Sequence, residues 1–451
     1  MQKFAQKVVG LFDRFMPEPL SFGVLMTFIA MILAWSVTDA TPVEVLVSWG
    51  QGLSSLLPFI TQVSLTILFS FSLAHLGPVP RLLEALADLP KTASKAYAFA
   101  AIFTSCVCLI AWPLGTILGG LMAREIALRF KARGDKIHYP LLGGAAFSGF
   151  VVWHMGYSAS APLLVATEGN PMQEMLGGVL PVTETILSPY NLMTILATVV
   201  VVAFTTSRLA PDNKDVEEIE EKSLSVSGEI PKSSDLEMRP GFASAFEHAR
   251  WPTTTMGLLL FGYVGYWFFT RGAQLELNIV NWTFLGLCLL LTKNASNLID
   301  VMMRAGRAVI PTLLQYPLYG GIMGLMIGTG VVTMMAGYFA EIGSAETLPL
   351  IAFFSGGLIN LFIPSGGAQW AVQGPAFLEA AKLLGTDPSL IVLGVAYGDQ
   401  WTNIIHPFVV IPLLIMTGLK ANKVLSYSFI VFLIATLPLA GGLLIASYTM
   451  H

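Results

Sequence analysis

The sequence predicts an all-α polytopic membrane protein made of two inverted-topology repeats, each with a re-entrant helical hairpin followed by a broken transmembrane helix. Of its 451 residues, 55% are hydrophobic and only 12% are charged, with a mean hydropathy of +0.70. A soluble domain carries about 25% charged residues. The apolar runs are continuous and near the roughly 20 residues that span a bilayer, too long for the alternating segments of a β-barrel. The third observation is the distribution of Lys and Arg.

Basic side chains give the orientation, because the cytoplasmic loops of membrane proteins accumulate Lys and Arg. Lys3, Lys7 and Arg14 precede an uncleaved first apolar run, which predicts a cytoplasmic N-terminus. If two apolar stretches turn back as hairpins, every one of the 24 Lys and Arg except Arg271 and Lys382 lies on the cytoplasmic side. The C-terminus is then periplasmic or extracellular, and the predicted location is the bacterial inner (cytoplasmic) membrane, in multiple passes.

The first half, residues 1–210, contains the hairpin that opens to the cytoplasm. The apolar stretch at about 96–123 has basic residues on both flanks, so a single crossing would place one cluster outside. We predict instead that it bends near Trp112-Pro113-Leu114-Gly115, where Pro and Gly permit a turn. From Tyr139 the chain crosses outward, and a further run from Asn191 returns it to the cytoplasm.

A charged segment at 211–250 separates the halves and is predicted to be a solvated cytoplasmic linker, because it is rich in Glu, Lys and Ser and poor in aromatic residues. Residues 251–451 hold an extra helix and the second, inverted half. Its long run from Val309 is predicted to break around Pro317 and Gly320. Its hairpin, at about 348–381, opens to the outside and is interrupted near Pro364.

A constant shift of 250 residues relates the segments that follow the two hairpins. The shift places Gly144 on Gly394 and Pro162 on Pro412. Together with the opposite orientation of the hairpins, this predicts an inverted repeat. In such folds, substrate and coupling ions bind near the middle of the membrane, where broken helices present backbone groups.

The second hairpin tip is the predicted site for an anion. It combines Ser365, Gly366 and Gly367 with Gln369 one turn later, directly after Pro364. Free N–H groups at a helix N-terminus favour anions, and the Ser and Gln side chains add donors. A small carboxylate is the predicted ligand; the alternative is a packed turn that binds nothing.

The first hairpin tip is more apolar. Gly115 and Thr116 offer backbone groups and one hydroxyl beside Pro113 and Leu114. Such a tip suits the hydrocarbon tail of a small acid better than a second charge, and a tip without any binding role is an equal alternative.

Asp399 is the clearest carboxylate deep within an apolar run. A charge at the centre of a membrane helix costs roughly 2.5–3.5 kcal/mol, so we expect Asp399 to be used or paired. Asn403 shares its helix face, and Pro407 frees the Asn403 carbonyl by removing its donor. These groups predict either a Na⁺ site or a proton carried by Asp399; a capping role at the helix break is the third interpretation.

The corresponding first-half segment offers Ser158 and Ser160 as small oxygen ligands for a monovalent cation. His154 either titrates near neutral pH or satisfies a hydrogen bond between helices. The histidines have no metal-ligand spacing, and no catalytic or phosphate-binding motif is present. We therefore predict no enzyme activity, no cofactor and no metal beyond Na⁺; the coupling ion is Na⁺ or H⁺.

Two strings carry a family resemblance: NLFIPSGGAQWAVQGP from Asn360 and AYGDQWTN from Ala396. They resemble the bacterial short-chain fatty acid transporter family, of the acetoacetate and butyrate uptake type, as do FMPEPLSFGVLMT and SASAPLLVATEGNP elsewhere. More distantly the chain is similar to the ion-transporter superfamily with paired re-entrant hairpins. That resemblance implies a homodimer with a scaffold and a moving, elevator-type transport unit. The first tip departs from the Ser-Asn-Thr tip of dicarboxylate relatives.

The predicted function is secondary active transport of short-chain monocarboxylates by H⁺ or Na⁺ symport. The second hypothesis for its function is a Na⁺-coupled carrier of another small organic acid, and the third, less favoured hypothesis is an anion channel. Expected partners are the monocarboxylate, the lipid bilayer and a second copy of the chain, with no nucleic acid.

Overall fold

The computed structural model describes residues 19–170, 172–211, 215–220, 241–272, 277–361 and 364–449. Helices are the only regular secondary structure within these ranges, and the predicted all-α polytopic fold is confirmed. Lys3, Lys7 and Arg14, and most of the linker at 211–250, lie outside the described residues.

The first half runs from a long apolar helix to the helix that precedes the linker. In order, its helices are α1 (Pro19–Val37), α2 (Pro42–Gly52), α3 (Leu57–His75), α4 (Val79–Ala87), α5 (Ala93–Ile110), α6 (Trp112–Arg133), α7 (Tyr139–Ser148), α8 (Ser160–Val165), α9 (Gln173–Leu176) and α10 (Pro189–Ser207). A 3₁₀ segment, Gly149–Met155, continues α7 before the chain breaks ahead of α8.

The linker contains α11 (Phe242–His248), and the second half runs from the extra helix to a long C-terminal helix. The helices of the second half are α12 (Trp251–Arg271), α13 (Leu277–Leu291), α14 (Ala295–Gly328), α15 (Val331–Ile342), α16 (Leu348–Asn360), α17 (Gly366–Leu384), α18 (Pro388–Asn403), α19 (Ile411–Thr417) and α20 (Ala421–Thr449).

Side-chain caps explain where several of these helices begin. An N-cap oxygen accepts a backbone N–H that has no partner within the helix. The structure shows such caps from Thr41 at α2, Thr92 at α5, Ser188 at α10, Asn294 at α14 and Asp387 at α18.

The first hairpin consists of α5 and α6, which meet at Ala111. Two glycines let the arms approach closely: a Cβ at Gly115 would lie 2.1 Å from the Cys108 sulfur, and one at Gly119 would lie 2.5 Å from the Thr104 hydroxyl. Both pairs are centred on the junction between Ala111 and Trp112, so the arms run antiparallel.

The second hairpin consists of α16 and α17, joined through residues 361–365. Gln369 on α17 donates through Nε2 to the Gly356 carbonyl of α16 at 2.7 Å. At the open end, the Thr386 hydroxyl donates to the Ala345 carbonyl at 3.1 Å. The two arms are therefore tied together near both ends.

The predicted break around Pro317 and Gly320 is wrong. Helix α14 runs through both residues to Gly328, and the chain breaks only at Gly330, which has a positive φ of 80°. The glycines serve packing instead: a Cβ at Gly320 would lie 2.7 Å from the Gly52 carbonyl oxygen of α2, and one at Gly324 would lie 2.5 Å from the Gly52 Cα. Small residues let membrane helices approach in this way.

Among the described residues, three helices are long and apolar enough to cross a membrane: Ala93–Ile110, Pro189–Ser207 and Ala421–Thr449. The bent pair Ile60–His75 and Val79–Ala87 would make a fourth if it forms one span.

Candidate functional site

A cavity of about 150 Å³ lies between the tips of the two hairpins and helices α3 and α14. Ligand pockets for drug-sized molecules usually occupy about 300–1,000 Å³, so this cavity suits a ligand of only a few heavy atoms. No Lys, Arg, Asp or Glu is among the described residues that line it.

The second hairpin contributes the N-terminus of α17 to the cavity, through Pro364, Ser365 and Gly366. Ser365 is the N-cap residue, yet its hydroxyl makes no capping hydrogen bond to the first turn. The amides at this end are therefore not capped by the Ser365 side chain. A helix N-terminus of this kind carries partial positive charge.

Helix α14 faces the cavity with Thr312, Gln315, Tyr316 and Tyr319. The buried Tyr319 hydroxyl has no hydrogen-bond partner among the described residues. None of these four residues is among the site residues predicted from the sequence. A signal was available: polar residues spaced by three, four and seven positions share one side of a helix, here within an apolar run.

Aromatic and aliphatic side chains form the other walls. Trp112 of the first tip packs against Trp153 and Phe150, with ring centroids 5.8 Å and 6.2 Å away, respectively. Ile117 of α6 and Phe408, which follows α18, add further apolar surface. The cavity thus has polar groups at the second tip and on α14, and an apolar wall at the first tip.

Behind the cavity, Asp399 pairs with His154 across the two halves of the chain. The Asp399 Oδ2 atom lies 2.8 Å from His154 Nδ1 and accepts a 3.2 Å hydrogen bond from Asn403 Nδ2. Both Asp399 and His154 are fully buried, and Asp399 Oδ1 has no partner among the described residues. A buried carboxylate requires a compensating charge, proton or set of donors.

Asn403 and Asn360 connect this pair to the second hairpin. Asn403 lines the cavity and contacts Asp399. Asn360, the last residue of α16, donates through Nδ2 to Asn403 Oδ1 at 2.9 Å and to the Asp399 carbonyl at 3.0 Å. A ligand at Asn403 is therefore one hydrogen bond away from the Asp399 carboxylate.

The first hairpin tip is closed by its own half. The Trp112 amide donates to Ser158 Oγ at 2.9 Å, and the Tyr157 amide donates to the Leu109 carbonyl at 2.7 Å. A Cβ at Gly156 would lie 2.2 Å from the Leu109 carbonyl oxygen. The non-helical residues between the 3₁₀ segment and α8 therefore pack directly on the first tip.

The structure brings five of the predicted site residues to the cavity wall: Thr116, Ser160, Ser365, Gly366 and Asn403. The others have different surroundings. Gly115 packs on Cys108, Ser158 caps the first tip, and Gln369 braces the second hairpin internally. Gly367 is buried in the first turn of α17. Asp399 and His154 form the pair behind the wall.

The remaining polar groups of the site are candidate ligand-binding groups. No cluster of three His, Cys, Asp or Glu that could hold a metal ion occurs in the described part of the chain. Thr116 directs its hydroxyl to the Pro113 carbonyl at 3.0 Å. Hydroxyls, amides and one carboxylate can bind a small anion and a monovalent cation.

Comparisons with known proteins identify the family. The family model described as short chain fatty acid transporter matches residues 1–446. A protein of Escherichia coli (strain K12), provisionally named a short-chain fatty acid transporter, is 34% identical over 415 residues, which cover 92% of this chain and 93% of that protein. A protein of Haemophilus influenzae with the same provisional name is 32% identical over 421 residues, with the same coverage.

A solved structure gives the same fold. The YdaH transporter of Alcanivorax borkumensis, whose crystal structure is described as having an unusual topology, superposes with a TM-score of 0.56. The match covers 95% of this chain and 98% of that one at 14% identity. At this identity the likeness concerns the fold alone.

Proposed function

The chain belongs to the short-chain fatty acid transporter family, and from that premise we propose that it carries small monocarboxylates such as butyrate or acetoacetate by symport with H⁺ or Na⁺. The observation that carries this proposal is the small cavity that joins an uncapped helix N-terminus to an apolar wall. A short acid has the same two parts.

The carboxylate binds at the N-terminus of α17 in this proposal. Ser365 Oγ and the amide of Gly366 are the nearest donors, and the unpartnered Tyr319 hydroxyl faces the same space. Helix N-termini stabilise negative charge through their free N–H groups. The hydrocarbon tail then packs toward Trp112, Ile117 and Phe150. The lack of a cationic side chain in the described lining favours one negative charge over two.

Asp399 is the proposed coupling residue. Its Oδ1 atom is buried without a partner, so a proton or Na⁺ bound there supplies the compensation that a buried carboxylate requires. Asn403 links this atom's carboxylate to the cavity. When cation and substrate are bound together, the cation compensates the Asp399 carboxylate and the α17 N-terminus stabilises the substrate carboxylate. This joint compensation is the physical basis for symport.

We further propose an elevator-type alternating access, with a homodimer in the inner membrane, a cytoplasmic N-terminus and an outside C-terminus. Support for the two inverted repeats comes from matched packing. Gly149 of the first half lies against Ala101 of α5, and Gly398 of the second half lies against Phe353 of α16. In each half, the first hairpin arm therefore packs on the segment that follows the hairpin.

Uptake of labelled butyrate into proteoliposomes tests the proposal, with a pH gradient alone or a Na⁺ gradient alone. We expect uphill uptake with one gradient, and loss of that uptake in Asp399→Asn. The matched control is Asp387→Asn, which keeps a good N-cap residue at α18 and should transport normally.

The outcomes separate the alternatives. Absence of butyrate uptake together with Na⁺-driven, uphill uptake of another labelled small organic acid would support the second hypothesis, the Na⁺-coupled carrier of another acid. Flux that does not saturate and never runs uphill would identify a channel. No uptake by folded protein under either gradient would contradict the proposed substrate class.

A further inference from the structure

We propose that His154 is a positioning residue: it holds the Asp399 carboxylate as the acceptor of the coupling cation and links it to the closed second hairpin tip. The inference rests on the proposed function and goes beyond it, because it gives His154 a defined hydrogen-bonding state and a role in coupling.

The hydrogen bonds of His154 determine its tautomer. The Ala161 backbone N–H points at Nε2 from 3.0 Å, and a backbone N–H can only donate. The Nε2 atom must therefore accept. The ring proton is then on Nδ1, where it donates to Asp399 Oδ2 at 2.8 Å. A second ring proton would break the hydrogen bond from Ala161.

Both ring nitrogens are thus occupied, and the ring is fixed in place. The His154 amide donates to Gln400 Oε1 at 2.9 Å, and the ring stacks on Trp153 with centroids 4.2 Å apart. The one acceptor of the pair without a partner is Asp399 Oδ1. The cation is consequently received by Asp399, while His154 sets the orientation of the carboxylate.

The same ring contacts the second hairpin tip. A Cβ built at Gly366 would lie 2.3 Å from His154 Cε1, so only glycine lets the tip close on the imidazole without displacement. Gly366 also lines the cavity. The ring therefore lies between the proposed substrate site and the proposed cation site, in contact with both.

Two conservative variants separate the two hydrogen bonds of the ring. In His154→Asn, the amide nitrogen can take the place of Nδ1 and still donate to Asp399. In His154→Gln, the longer side chain can accept from Ala161 but no longer donates from the Nδ1 position. Both are neutral, and both are compared at equal recovery of folded protein.

We expect His154→Gln to raise the half-saturating concentration of the coupling cation about tenfold or more, the usual effect of losing a hydrogen bond to a charged group. His154→Asn should stay within about threefold of the wild type, since it keeps that donor. Equal effects of the two variants, or a larger effect of Asn, would overturn the proposal.

The contact with the tip is tested by a double-mutant cycle. Gly366→Ala should slow uptake when His154 is present. The same substitution should reduce the uptake rate much less in a His154→Ala background, where the obstructing ring is absent. Additive effects would show that the ring and the tip do not interact.

A measurement without transport keeps the inference separate from the proposed function. In ¹⁵N-histidine-labelled protein, the signal that disappears in His154→Asn should show a protonated Nδ1 and an unprotonated Nε2. A protonated Nε2 would contradict the inference even if uptake is normal. The expected tautomer without butyrate uptake would count against the substrate alone.

Discussion

The two hairpin tips have the same architecture and opposite chemistry. At the first tip, Ser158 Oγ accepts a hydrogen bond from the Trp112 amide, and the Tyr157 amide donates to the Leu109 carbonyl. These backbone groups are therefore already paired. At the second tip, Ser365 leaves the first turn of α17 uncapped beside the cavity. From this difference we propose that the first tip is an apolar wall and the second a polar binding site, although both are built from Pro and Gly.

The largest expected difference concerns a single added methyl group. In Gly115→Ala, the Cβ would lie 2.9 Å from the Cys108 backbone, which cannot move away, so we expect a loss of about 3 kcal/mol in stability and little folded protein. In Gly366→Ala, the three atoms nearest the new Cβ all belong to the His154 side chain, so this variant should fold but transport poorly. Thermal unfolding and uptake, measured together, check this. Gly306→Ala, with open space around its Cβ, is the control.

If Gly115→Ala folded as well as Gly306→Ala, close packing of the two arms at Gly115 would not be needed to form the first hairpin.

The next effect separates binding from capping with two Ser→Ala variants. Ser365→Ala removes a proposed carboxylate donor and should raise the KM for butyrate about tenfold. Ser158→Ala leaves the Trp112 amide without its partner and should lower stability by about 1–3 kcal/mol, with little change in KM. Each variant is the control for the other. A higher KM in Ser158→Ala alone would reverse the assignment of the tips.

A smaller effect should appear in chain-length preference. Ile117→Ala enlarges the apolar end of the cavity, so each extra CH₂ of the acid should gain up to about 0.8 kcal/mol, or about fourfold in relative kcat/KM. Competition between butyrate and hexanoate measures this. Ile102→Ala, on the exposed face of the same hairpin, should leave the ratio unchanged. An unchanged ratio in Ile117→Ala would place the tail elsewhere.

The smallest effect lies at the base of the first hairpin, where the linker segment 215–220 is docked. His138 accepts the Glu217 amide at Nδ1 from 3.0 Å, and its Nε2 contacts the Tyr427 hydroxyl at 2.8 Å. Burial lowers the pKa of His138, an effect opposed by Glu217 and reinforced by Lys423. The neutral ring is therefore the docked form, with full stability above the ordinary pKa of about 6.5 and a loss as the pH falls below it.

Hydrogen exchange of residues 215–220 at about pH 7.5 and about pH 5.5, on either side of that ordinary pKa, should show weaker protection in acid. His138→Gln should remove this pH dependence, and His248→Gln, at an exposed position, should not. Equal protection at both pH values in the wild type would show that the linker is not held through His138.

Composition and charge predicted the all-α polytopic fold, because lipid imposes long apolar helices on the sequence. Local signals also identified Ser365, Gly366 and Asn403, which line the cavity. The break predicted at Pro317 was wrong because glycines near it serve close packing with α2.

The contact between His154 and Asp399 could not be predicted from the sequence. It joins residues that are 245 positions apart, and no local pattern encodes which face of one broken segment meets the other. Ser158 and Gln369 show the same limit: their residue types suit ion or substrate binding, but only packing reveals that Ser158 closes a tip and Gln369 braces a hairpin.

The most direct test of the central claim is a crystal structure with 4-bromobutyrate, in which anomalous scattering locates the bromine. We predict a carboxylate within about 3 Å of Ser365 Oγ and the Gly366 amide, with the bromine beside Ile117 and Phe150. A bromine at Ser365 and a carboxylate at Thr116 would contradict it, because the two tips would then have exchanged roles.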